Sequence, residues 1–158
     1  MLTELINALV LISICLIIHT SGMVLIAVPL VRRRVVIEER ARILHKIILL
    51  IGVFAILMLL HVVENCIWAG FYYWSGVLES YETALYFSFS TYTTIGYGDV
   101  LLPQHWRLLG ALEGISGVLL CGLSTAFLFA VVNALFQFRM QRMLREADSA
   151  GAKPDFST

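Results

Sequence analysis

The chain has 158 residues, 59% of them hydrophobic and 14% charged, with a formal net charge of zero. Soluble domains of this size carry about 25% charged residues. So apolar a composition exceeds what one soluble core absorbs, which predicts a chain embedded in a lipid bilayer, and the balanced charge gives no pointer to nucleic acid.

Leu5 to Val31 is the first long apolar run, with His19, Thr20 and Ser21 near its middle and Pro29 near its end. As a helix it reaches about 40 Å, enough to span with tilt. No cleaved leader is expected. The N-terminus has no Lys or Arg, carries Glu4 and enters an apolar run longer than a signal sequence uses.

Residues 32–46 are polar and basic, with five Arg and one Lys. Consecutive Arg32, Arg33 and Arg34 at the end of a span read as a topology anchor. A voltage sensor needs its charges on one face within the membrane. A second apolar run extends from Ile47 to about Tyr73, with His61, Glu64 and Asn65 towards its far end.

Residues 74–107 break the pattern. They contain Ser75 and Gly76, the acids Glu79 and Glu82, a short apolar stretch, glycines and Pro103. Tyr81 to Thr93 is too short to cross a bilayer, and its length predicts a re-entrant helix. Ser80 is the expected N-cap, with Glu82 in the first turn where the helix dipole favours an acid. A third span is expected from Leu108 to Phe138, followed by Arg139, Arg142, Arg145 and a polar, frayed tail.

Basic residues concentrate in the 32–46 loop and after Phe138, whereas residues 74–107 hold only Arg107. The positive-inside rule therefore puts the loop and the C-terminus in the cytoplasm, and the N-terminus and residues 74–107 outside. Trp68, Trp74, Trp106, Tyr72 and Tyr73 fall near the outer boundary, as an interfacial aromatic belt would. Cys15, Cys66 and Cys121 read as small buried apolar residues, with no metal spacing or disulfide framework.

The segment Thr94-Ile95-Gly96-Tyr97-Gly98 lies between the second and third spans, after the short helix. Aiming successive carbonyls along one axis requires backbone angles that L-residues avoid and glycine permits. Gly96 and Gly98, two apart, fit that alternation. Carbonyls so aimed can replace the hydration shell of a stripped cation. Thr94 adds a hydroxyl at the inner end, while Ile95 and Tyr97 point away from the axis towards the supporting helix.

Thr93-Thr94-Ile95-Gly96-Tyr97-Gly98-Asp99 resembles the pore signature of the potassium channel family, with Ile95 in the place of valine. The resemblance covers roughly residues 47–138 and looks most like the small prokaryotic two-span pore module, here with one extra N-terminal span. It implies an all-α membrane protein with three transmembrane helices per subunit, a re-entrant pore helix and a selectivity-filter loop, assembled with three further copies of itself into a homotetramer. The organisation it implies is a first helix at 1–31, a basic cytoplasmic loop at 32–46, a pore domain at 47–138 and a short cytoplasmic tail at 139–158. The implied location is the plasma membrane.

Thr94 to Gly98 are then the ion-binding residues, with potassium ions in the pore and no cofactor. Tyr86 stands at the spacing at which the family bonds the aspartate after the filter, here Asp99. Ser90 stands where some relatives carry a carboxylate behind the filter. In the third span, Gly117 falls close to the family's hinge position. The i, i+4 series Gly117, Cys121, Thr125, Phe129 and Asn133 is assigned to the cavity wall, with Phe129 as a constriction; core or lipid packing is the competing reading.

Glu113, inside an apolar helix, is expected to bond the short helix, with ion binding or proton sensing as the alternative. His61 and Glu64, three apart on one face, read as a structural pair, with an outer proton sensor as the sharper reading. His19 is similar, and Asn65 is expected to bond a neighbouring helix. Potassium conduction leads. A non-selective cation channel and a non-conducting sensor subunit with the same fold are the alternatives. No nucleophile, base and orienting group gather outside the spans, so no enzyme is expected. The 20 residues after Phe138 are too few for a nucleotide- or calcium-binding domain.

Overall fold

Long runs of Leu, Ile, Val, Ala and Met leave backbone amides and carbonyls with no solvent partner in a bilayer, and a helix satisfies them internally. In the computed structural model, which describes residues 2–32 and 43–149 (side chains over 2–30 and 44–135), every described element is helical. These are α1 (Leu2–Arg32), α2 (Ile43–Trp74), α3 (Tyr81–Tyr92), a single 3-10 turn (Gln104–Trp106) and α4 (Arg107–Ser149). Three of them, over Leu2–Leu30, Leu44–Trp74 and Gln104–Leu135, are long and apolar enough to cross a membrane. Most of the expected 32–46 loop and the last residues of the 139–158 tail lie outside the described residues. The first part of that tail is helical, because α4 runs on to Ser149.

Ser80 caps α3 as expected. Its side-chain oxygen accepts from the Thr83 amide at 3.1 Å, with Glu82 in the first turn. Gly76, at φ 66°, lets the chain reverse between α2 and α3.

α1 packs against both α2 and α4 of its own chain, a placement that the sequence left open. Two apolar layers result. One unites Ala8, Leu11 and Cys15 of α1 with Trp68 and Tyr72 of α2, Phe87 of α3 and Leu109 of α4. The other unites Ile26, Val53, Leu57 and Val131. His19, Glu64 and Ser124 are buried at sequence positions between the two sets.

Two expectations need correction. Trp68 and Tyr72 belong to the first layer and are fully buried, so they do not form an interfacial belt; Trp74, 81% exposed, is free to do so. Of the cysteines, Cys15 alone is buried, Cys66 is half-buried and Cys121 is exposed. The helical face that carries each residue decides these cases, and an apolar run does not reveal it.

Candidate functional site

The last turn of α3 leads straight into the glycine loop. Thr93 closes the helix, its hydroxyl donating to the Phe89 carbonyl at 2.6 Å. The Thr94 amide donates to the Thr91 carbonyl at 2.9 Å and the Gly96 amide to the Ser90 carbonyl at 3.0 Å. Ser90 Oγ accepts from the Tyr97 amide at 3.3 Å. Ser90 therefore holds the loop with both its carbonyl and its hydroxyl, from a position directly behind it.

Within the loop, Thr94, Gly96 and Gly98 have φ of 61°, 56° and 79°. Every second residue thus occupies the left-handed region. For the glycines this is ordinary, and nothing lies within 4 Å of where a Cβ would stand. For β-branched Thr94 it is a strained conformation, held by its neighbours.

The outer end of the loop is tied back to α3. Tyr86 Oη donates to Asp99 Oδ2 at 2.7 Å, and the Tyr86 and Tyr97 rings stack with centroids 6.4 Å apart. Asp99 Oδ1 accepts from the Val100 amide at 3.1 Å. The Tyr86 hydroxyl holds the Asp99 carboxyl below the usual aspartate range, and its own pKa is raised in return. Ile95 and Tyr97 remain 56% and 69% exposed on the single protomer.

α4 forms the wall behind α3. Glu113 is fully buried, its carboxylate accepting from Ser88 Oγ of α3 at 2.5 Å and from Tyr72 Oη of α2 at 2.7 Å. Ser88 also lies 3.3 Å from Asn65 Oδ1, while Asn65 Nδ2 donates to the His61 carbonyl of its own helix at 2.7 Å. One carboxylate thereby pins three helices together at the level of α3.

Gly117 does not share the surroundings of the residues grouped with it. It is buried, and a Cβ there would sit 2.1 Å from the Tyr92 carbonyl oxygen. Its missing side chain is accounted for by the close approach of α4 to the end of α3, and α4 passes through Gly117 without a break. Cys121, Thr125 and Phe129 are exposed on the protomer, Phe129 at 69%.

His61 and Glu64 belong to a larger cluster than their spacing revealed. His19 Nδ1 of α1 is 2.7 Å from Glu64 Oε1. Tyr92 Oη of α3 donates to Glu64 Oε2 and is 3.0 Å from His61 Nδ1. Ser124 Oγ of α4 lies 2.9 Å from His19 Nε2 and 3.1 Å from His61 Nε2. Donor atoms of His19, His61 and Glu64 lie within 4.8 Å of one another, a spacing that a metal tolerates. Each of those side chains is nevertheless within hydrogen-bonding distance of partners inside the cluster. Sequence reasoning had no signal for Tyr92 or Ser124 here, because the partners are separated by up to 105 positions.

Residues 61–134 match a protein family described as ion channel, a segment holding the C-terminal part of α2, all of α3, the glycine loop and the membrane part of α4. A curated relative, the calcium-gated potassium channel TvoK of Thermoplasma volcanium, is 39% identical over 66 residues. That match covers 41% of this chain and 18% of the relative, so the chain spans less than a fifth of that protein's length. No solved structure matches the chain. The matched segment holds the glycine loop, which lies between the second and third of the membrane-capable helices. Over residues 61–134, a little under half of its length, the chain is similar to the ion channel family.

Proposed function

We propose that this protein is a potassium-selective channel in which four copies of Thr94-Ile95-Gly96-Tyr97-Gly98 surround one axis and conduct potassium passively. The alternation of positive φ at Thr94, Gly96 and Gly98 carries the reading. A backbone that changes hand at every second residue turns successive carbonyls towards the same side, and rings of such carbonyls replace the hydration shell of a potassium ion. α3 then acts as a re-entrant pore helix, its C-terminal dipole end favouring a cation in the cavity below.

Each protomer supplies one loop, so several copies are needed to surround an ion. The exposed Ile95 and Tyr97 are the side chains that neighbouring copies would cover. Asp99, Tyr86, Ser90 and Glu113 support the loop, and the exposed Cys121, Thr125 and Phe129 line the path from the cytoplasm. The N-terminus lies outside and the C-terminus in the cytoplasm, following the basic residues. The potassium in the relative's name supports the ion assignment; its calcium gating is not carried over.

Two measurements test this reading. Purified protein in liposomes takes up potassium and rubidium through the pore, and the absence of uptake under any condition contradicts it. Cross-linking in the membrane gives tetramers, and a ladder that stops at dimers contradicts the assembly.

A further inference from the structure

Five side chains from four helices close a ring in the middle of the protomer. It runs Glu64 Oε1 to His19 Nδ1, His19 Nε2 to Ser124 Oγ, Ser124 Oγ to His61 Nε2, His61 Nδ1 to Tyr92 Oη, and Tyr92 Oη back to Glu64 Oε2. A secondary contact of 3.3 Å joins His61 Nδ1 to Glu64 Oε2. His19 and Glu64 have no exposed surface, Tyr92 and Ser124 are buried, and His61 is 13% exposed.

Each of the five links needs one proton. With both histidines neutral and Glu64 ionised, Ser124, Tyr92 and the two imidazoles supply four. Taking Tyr92 as donor to Glu64, His61 Nδ1 donates to Tyr92, Ser124 donates to His61 Nε2, and His19 Nε2 donates to Ser124. The His19 Nδ1 to Glu64 Oε1 link is then left without a proton. Reversing the direction of every bond gives the same count. A fifth proton, shared between His19 and Glu64, completes the ring and makes it neutral overall. Without it, one of the five links has no proton wherever the four are placed, and a net negative charge is left in an apolar interior, a costly arrangement.

We infer that this ring is a binding site for one exchangeable proton, and that its occupancy controls conduction by holding Tyr92, the residue that leads into the filter loop. Tyr92 ends α3, and its carbonyl lies against Gly117 of α4, so movement of Tyr92 displaces both the loop and the inner helix. On the channel reading above, the protonated, closed ring supports conduction. Loss of the proton leaves one link of the ring unmade, loosens Tyr92 and lowers conduction. The sign is fixed by the count: the stabilisation is present at low pH and is lost as pH rises through the ring's own titration.

Other titratable groups face the ring from the helices packed around it. They are Cys15 of α1 and Cys121 of α4, both in electrostatic reach of Glu64, and Glu113 with its Tyr72 partner, reached through Ser88 and Asn65. Among the described residues no Lys or Arg pairs with Glu64, so no fixed cation substitutes for the proton.

Glu64→Gln mimics the occupied state permanently. Its carboxamide oxygen accepts from Tyr92, and its N–H supplies the fifth proton to His19. Potassium uptake into liposomes should be followed from about pH 5 to about pH 9, which brackets the ordinary histidine pKa of about 6.5. The wild-type protein is expected to lose about tenfold in uptake as pH rises, within the usual range of coupling between sites. Glu64→Gln stays conducting and flat. Tyr92→Phe, which opens the ring, is also flat but at the low level.

Thermal stability over the same range is the second readout, because it needs no conduction. It falls with rising pH in the wild type and not in Glu64→Gln. Uptake that is present but independent of pH overturns the inference, as do parallel wild-type and Glu64→Gln profiles. A pH profile that disappears on adding a chelator assigns the cluster to a metal and overturns it too. No uptake at any pH defeats the channel reading instead, and the stability profiles then decide the ring by themselves.

Discussion

In the glycine loop, Ile95 and Tyr97 stand largely exposed on a single protomer, whereas His19 and Glu64 in the polar ring have no exposed surface. The loop is held from one side only, by Ser90, Thr91 and the Tyr86–Asp99 clasp. The ring closes on itself with partners from all four helices of one chain. On the proposed reading, the first is completed only by assembly. The second is complete within the protomer, so what it senses is a property of each subunit. Ser88, Asn65 and Glu113 lie between them, and Tyr92 belongs to both by sequence and by contact.

The largest effect is expected in the loop. Gly96→Ala puts a Cβ on a residue at φ 56°, where the left-handed backbone costs an L-residue about 1–2 kcal/mol. Repeated in every copy around one axis, that strain should abolish potassium uptake while leaving expression and folding near wild type. Appreciable uptake by this variant would show that the loop does not carry the ion.

Next comes Glu113→Ala, which leaves the Ser88 and Tyr72 hydroxyls buried without their acceptor. The expected loss is about 2–4 kcal/mol of stability, read by denaturation in detergent, with Glu113→Gln retaining much of it. Equal losses in the two variants would mean that hydrogen bonding is not what Glu113 contributes. Gly117→Ala follows, at about 1–3 kcal/mol for a forced backbone shift against the Tyr92 carbonyl. A hinge role predicts altered opening with unchanged stability, so the two readings separate in one variant.

The smallest effect belongs to the clasp. Tyr86→Phe removes the donor that holds the Asp99 carboxyl below its ordinary range. A depressed carboxyl contributes stability above its unfolded pKa, about 4, and loses it as pH falls through the lowered folded value. The wild type should therefore exceed Tyr86→Phe in melting temperature near neutral pH by a small margin that vanishes in strong acid. A margin that persists unchanged into acid would exclude the Asp99 bond as its source.

The order of α1, α2, α3 and α4 was legible because apolar runs and the Ser80 cap are local signals. The glycine spacing announced the loop, and the resemblance to the potassium channel family pointed to the Tyr86–Asp99 bond, which a thirteen-residue offset alone would not have done. Thr94 at positive φ was not legible, since a β-branched residue there runs against local preference and is held by surrounding structure. The ring was half visible. His61 and Glu64 share a helical face, but His19 joins only once α1 docks on its own α2 and α4, and nothing in a linear sequence dictates that docking. Gly117 shows the complementary failure. Its position near a family hinge was readable, whereas the Tyr92 carbonyl that occupies the place of its side chain was not.

The central claim is that the alternating backbone of Thr94 to Gly98 selects potassium. The most direct measurement is the reversal potential of the reconstituted channel with potassium on one side of a bilayer and sodium on the other. The account predicts a potential displaced far towards potassium equilibrium and lost in Gly96→Ala. A potential near zero in the wild-type protein, with current flowing, would contradict it.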